Sequence, residues 1–101
     1  MESLQRSRRG HKTHITVLRK KVDDVLNNND IVAIKTLQDS LIKQIEKVEG
    51  LDEQIFFMIT DERELDKEIT EAGEYSFEVR VDIQKLITAV TKSLRNHKPL
   101  A

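Results

Sequence analysis

The residues in this chain that could do chemistry are few and widely spaced. His11 and His14 are three residues apart and could share a helical face, while His97 has no acidic neighbour in sequence. A structural metal site needs about four ligands, and the chain has no cysteine that could add a thiolate. The three isolated glycines form no phosphate-binding loop, and there is no Ser/His/Asp set. We therefore expect no enzymatic activity, no metal, no cofactor and no small-molecule substrate.

Basic side chains are the second group that could bind a ligand, and they are concentrated at the two ends of the chain. Residues 1–21 carry seven basic side chains and one acidic one, residues 22–78 carry five and 16, and residues 79–101 carry five and one. If the first and last helices bring these groups to one pole, they could contact the phosphates of RNA. We favour a solvated dipolar molecule, because no aromatic residues are interleaved for base stacking. The possible phosphate contacts are Arg6, Arg8, Arg9, Lys12, Arg19, Lys20, Lys21, Lys92, Arg95 and Lys98.

The longest element available to position such groups is an apolar seam that starts at Leu65. Steps of four and three residues along it continue for about four heptads, which is typical of a long helix that packs against other helices. Asp61 and Glu64 precede the seam with the spacing of a capping box. The seam consists of Leu65, Ile69, Ala72, Ser76, Val79, Ile83, Leu86, Val90 and Leu94.

Two further amphipathic patterns predict a total of three helices, over about 11–27, 31–59 and 62–96. Asp30 follows a run of asparagines and is a good N-cap for the second helix. Residues 1–9 have no apolar periodicity, so we expect a flexible basic N-terminal arm before a single domain over 10–98. No apolar stretch approaches the length of a membrane span, and we expect an intracellular, cytoplasmic protein.

These lengths predict an all-α fold: a three-helix antiparallel bundle with a short first helix and a long protruding hairpin of helices 2 and 3. The first helix is too short to cover the hairpin tip, roughly residues 48–75. Five consecutive apolar residues, 55–59, lie in this tip, and a two-helix arm can bury only one side of them. We expect a second copy to cover the rest, although an exposed aromatic can also be tolerated on a monomer. The predicted oligomer interface is Ile55, Phe56, Phe57, Met58, Ile59, Leu65, Ile69 and Ala72.

The junction of the second and third helices also resembles a known family. It reads Leu51-Asp52-Glu53-Gln54-Ile55, then Asp61, and then runs from Glu64-Leu65-Asp66 through to Glu74-Tyr75. This pattern is similar to the uncharacterised helical Gag-like domain of BEL/Pao-type retrotransposon polyproteins. The similarity covers roughly residues 6–95. It implies a structural part of a Gag-like protein, or of a host protein derived from one, and it brings no catalytic residues.

The leading hypothesis is therefore a self-association module that forms a homodimer through the hairpin arm. A nucleic-acid or anionic-surface binding module that uses the basic pole is the first alternative. A helical adaptor whose arm binds a helix of a host protein in a groove is the second.

Overall fold

The computed structural model describes residues 1–96, and nearly all of them are helical. The helices are α1 (Glu2–Arg19), α2 (Val22–Asn28), α3 (Ile31–Met58) and α4 (Glu62–Asn96). The predicted all-α class is confirmed, since the described residues contain no strand. None of the helices within residues 1–96 is long and apolar enough to cross a membrane.

The predicted helix boundaries around residue 30 and residue 61 have clear local causes. Asn29 adopts a left-handed conformation with φ of 55°, which ends α2. Asp30 then caps α3, because its carboxylate accepts hydrogen bonds from the backbone N–H groups of Val32 at 3.1 Å and Ala33 at 3.3 Å. Asp61 plays a similar part for α4 and accepts from the N–H of Arg63 at 2.9 Å.

The prediction of a flexible arm over residues 1–9 is wrong, because α1 begins at Glu2. The half-buried residues Leu4 and Arg8 lie on the same stripe of α1 as the buried Ile15. Arg8 occupies a core position seven residues before Ile15 and forms ion pairs with two carboxylates there. A search for apolar periodicity passes over an arginine, so it misses the first two and a half turns of the helix.

The predicted first helix is also divided in two. A tight turn at Lys20 and Lys21 separates α1 from α2, and the N–H of Lys21 donates to the carbonyl of Leu18 at 3.0 Å. This bond spans three residues instead of four, as in a 3₁₀ turn. Leu18 before the turn and Val22 after it are both buried, so the apolar stripe continues across the break.

The helices pack around one elongated core. Arg8 of α1 contacts Asp52 of α3, and His11 of α1 contacts Gln44 of α3. Residue numbers therefore fall along α3 as they rise along α1, so these two helices are antiparallel. Arg80 of α4 contacts Glu49 of α3 in the same opposed sense. The molecule measures 61 × 21 × 17 Å. Its main core contains Ile15, Leu18, Val22, Ile34, Leu37, Leu41, Ile45, Val48, Val79, Ile83, Leu86 and Val90.

Candidate interaction surface

The predicted oligomer interface separates into buried and exposed residues. Ile55 and Ala72 are buried inside the chain, so their assignment to an intermolecular contact is wrong. A helix turns residues three or four apart toward the same side, and these two share the inward side with the core. Three other members are half-buried, and the three that remain exposed are Phe57, Met58 and Ile69.

The most exposed aromatic side chain in the described part of the molecule is Phe57, at the C-terminal end of α3. It is 94% exposed, and Met58 next to it is 54% exposed. Phe57 and Met58 line a shallow groove between α3 and the start of α1, together with Leu4, Glu53 and Gln54. We call Leu4, Phe57 and Met58 the tip patch.

The prediction that no third helix covers the hairpin arm is therefore wrong for one side of the arm. The N-terminal half of α1 covers one side of the tip, because Leu4 reaches the groove beside Phe57. Arg8 lies between α3 and α4 about one turn further along α1. Phe57 and Met58 of the tip patch remain exposed after α1 has packed.

A three-residue ion cluster holds α1, α3 and α4 together near this patch. The guanidinium Nη1 of Arg8 lies 2.9 Å from Oδ1 of Asp52 and 3.1 Å from Oε2 of Glu68. Asp52 is only 4% exposed. Burial alone would lower the pKa of Arg8, but its hydrogen bonds to the two carboxylates raise that pKa above its ordinary value. The guanidinium therefore stays charged and satisfies both acids.

Tyr75 of α4 forms a second contact with α1. The ammonium Nζ of Lys12 lies 4.4 Å from the centre of the Tyr75 ring, which is the geometry of a cation–π interaction. The Tyr75 hydroxyl is buried and has no hydrogen-bond partner among the described residues. Burial raises the pKa of Tyr75, so the hydroxyl is neutral at physiological pH.

The basic residues do not come together at one pole as predicted. Because α1 runs antiparallel to α3, its N-terminal basic residues lie at the hairpin tip, beside Asp52 and Glu68. At the other end of α1, Arg19 forms ion pairs with Asp82 at 2.6 Å and with Glu78 at 3.8 Å. Two of the predicted phosphate contacts, Arg8 and Arg19, therefore form ion pairs within the chain, and a third, Lys12, lies over the Tyr75 ring.

The other predicted phosphate contacts within residues 1–96 are spread along the molecule. Lys98 and His97 lie outside the described residues. Arg8 lies beside Glu68 of α4. Arg95 is 27 residues further along α4, which is a distance of about 40 Å. Such a spread favours the solvated alternative over a single phosphate-binding site. Binding to RNA stays a prediction that no described contact tests.

The described histidines, His11 and His14, belong to no cluster of metal-binding side chains. His11 Nδ1 lies 2.8 Å from Oε1 of Gln44, a contact that pairs α1 with α3. Within residues 1–96, no group of three or more histidine and acidic side chains is placed to hold a metal ion.

Sequence reasoning missed the ion cluster, although a signal for it was present. Asp52 follows Val48 by four residues and precedes Ile55 by three, so it occupies a position of the apolar stripe. A charge at such a position is rarely buried unless it is paired. Arg8 and Asp52 are both charged residues on the apolar stripes of their helices, and this shared feature predicts that they pair.

Comparisons with known proteins add no functional assignment to this geometry. No protein-family model matches the chain, and no curated protein and no solved structure matches it.

Proposed function

We propose that this chain is a structural self-association module that forms a homodimer through the tip patch. Its assignment to a Gag-like protein rests on the resemblance over Leu51 to Tyr75. We treat the four helices as one antiparallel bundle, in which α1 and α2 together take the place of the predicted first helix. In this bundle, α1 and α3 carry the surface that meets the second copy.

The observation that supports the proposal is the exposure of Phe57 beside Met58 and Leu4. Fully burying a phenylalanine side chain stabilises a complex by about 1.5–3 kcal/mol, so two copies would gain about 3–6 kcal/mol. A micromolar dissociation constant corresponds to roughly 8 kcal/mol. Burial of the two phenylalanines would therefore supply a large part of the free energy of a micromolar dimer.

The rigidity of the surrounding structure is a second argument. Phe57 lies near the end of α3, where the chain could fray, but Arg8 attaches this end to α1 and α4 through Asp52 and Glu68. A preformed surface loses little conformational entropy when it binds. The tip patch is thus prepared for a partner without any rearrangement.

The test is the mass of the isolated chain in solution, measured by light scattering over about 1–100 μM. We expect twice the chain mass of 11.7 kDa at the upper concentrations. Phe57→Glu should return the mass to that of the monomer. The matched control is Phe77→Glu, because Phe77 is also 70% exposed but lies on α4 and not in the tip groove.

A wild-type chain that stays monomeric over this range would overturn the proposal. A dimer that Phe77→Glu dissociates, and Phe57→Glu does not, would show that another surface is used. Circular dichroism of both variants verifies that each is still helical.

A further inference from the structure

The inward side of α1 changes from polar to apolar along the helix. Ile15 and Leu18 are the buried residues of α1, and both belong to the main core. Residues 2–14 contain no buried residue, and we call this segment the strap. Its half-buried residues are Leu4, Arg8, His11 and Lys12. The strap is therefore attached to the bundle mainly by polar side chains, whereas the rest of α1 is attached by the core.

Three polar side chains attach the strap to α3 and α4. Arg8 binds two carboxylates at 2.9 and 3.1 Å, and His11 contacts a glutamine of α3 at 2.8 Å. Lys12 lies 4.4 Å from the ring centre of a tyrosine of α4. All three attachments lie within five successive residues of one rigid helix. A movement of this helix away from the hairpin therefore breaks them together.

The part of the hairpin near the strap is also separate from the main core. Its buried apolar residues are Ile55 and Ala72, and neither belongs to the main core. That core extends toward the tip only as far as Val48 on α3 and Val79 on α4. Regions with few buried apolar contacts open locally at a lower free energy than the core does. The packing thus permits the strap to separate while the core remains intact.

The strap is unstable as a helix once it leaves the hairpin. Isolated helices shorter than about 12–15 residues are marginal in water, and the strap covers only residues 2–14. Its four basic side chains outnumber its single acidic one, so they repel one another. Gly10 lowers its helix-forming equilibrium about fivefold relative to alanine, and a Cβ added there would meet no atom within 4 Å. Docking therefore keeps the strap helical.

We infer that the strap is released from the hairpin and unfolds as one unit while residues 15–96 stay folded. Release frees Arg8 and Lys12, two of the predicted phosphate contacts. A polyanion that binds them must compete with the carboxylates and the tyrosine ring that hold the strap closed. The closed strap is thus an autoinhibitory contact for its own basic residues. The inference does not depend on the proposed dimer, because every contact that it uses lies within one copy.

The first experiment is native-state hydrogen exchange of the backbone amides of the whole chain, followed by NMR. We expect the amides of residues 6–13 to share one opening constant. After correction for intrinsic rates, they should exchange at least about tenfold faster than those of residues 41–48 in α3. Simple fraying of a helix end would give protection that rises step by step along α1. A stepwise rise, or strap amides that exchange only together with the core, would overturn the inference.

The second experiment removes one attachment of the strap. Glu68→Gln takes away one of the two carboxylates at Arg8 and should speed exchange of the strap amides at least about threefold. Glu64→Gln is the matched control, because it removes the same charge from α4 one turn earlier, at an exposed position. Glutamine also preserves the capping box there. The control should change strap exchange less than about twofold. Equal effects of the two substitutions would contradict a specific attachment through Arg8.

The third experiment strengthens the strap itself. Gly10→Ala should slow exchange of the strap amides about fivefold, because alanine stabilises the docked helix relative to the released, unfolded segment. Gly73→Ala is the matched control, since Gly73 is equally exposed and open but lies on α4. It should leave the opening constant of the strap unchanged. No slowing with Gly10→Ala would show that the strap does not unfold on release and would overturn the inference. A monomeric wild-type chain would overturn only the proposed function.

Discussion

Substitution of Arg8 gives the sharpest test of the fold near the tip. Arg8→Met keeps most of the apolar stem but removes the charge that satisfies Asp52 and Glu68. Breaking a buried ion pair by removing one partner costs about 3–5 kcal/mol, since the other charge remains buried. Arg8 has some exposure, with 15% of its side chain accessible, so we expect the lower end, about 3 kcal/mol.

Urea denaturation followed by circular dichroism measures this loss in the free energy of unfolding. For a domain of about 100 residues the melting temperature should fall by about 12–24 °C. The double variant Arg8→Met with Asp52→Leu is the control, because it removes both charges and should recover most of the stability. If Arg8→Met costs less than about 1 kcal/mol, the residue is not the buried partner of Asp52 and the reasoning is refuted.

The remaining prediction concerns one acidic residue of α3, Glu49. The hydrogen bonds from Arg80 hold the pKa of Glu49 below its usual 4.5, so this pair should stabilise the fold at neutral pH. That stability is lost as the pH falls from about 4.5 through the lower pKa of the folded state. Arg80→Gln should remove this pH dependence of the free energy of unfolding, as measured in acid titrations. Because the pair is solvent-exposed, the effect should stay below about 1 kcal/mol.

Apolar periodicity predicted the long elements well because their stripes are nearly uninterrupted. The pattern from Leu65 to Val90 coincides with α4, and Asp30 caps α3 as its residue type suggests. The first helix was harder, because its N-terminal half packs through Arg8 and only one apolar residue, Leu4. The stabilising effect of that arginine depends on Asp52 and Glu68, which are 44 and 60 residues away along the chain. A local pattern carries no information about such a pairing.

The exposed surface was predicted only in part. The five apolar residues from 55 to 59 indicated an unusual tip, and all five were assigned to the interface although Ile55 continues the apolar stripe of α3. Ile55 is buried because α3 turns it toward the core with Val48, seven residues earlier. Phe57 is exposed because it lies two residues further along, on the other side of the helix. The seven-residue spacing therefore identifies Ile55 as a core residue, whereas the exposure of Phe57 also depends on how α1 packs beside it.

The ion cluster also has a consequence for the proposed dimer, through the register of α1 on α3. Apolar stripes that repeat every seven residues would tolerate a slip by one heptad. Such a slip would move Arg8 from Asp52 to Ile45 or Ile59, where a buried guanidinium has no acidic partner. The cluster therefore penalises both shifted arrangements. The same register places Leu4 beside Phe57 and Met58, so the residues that set the internal alignment also hold together the tip patch that would meet a second copy.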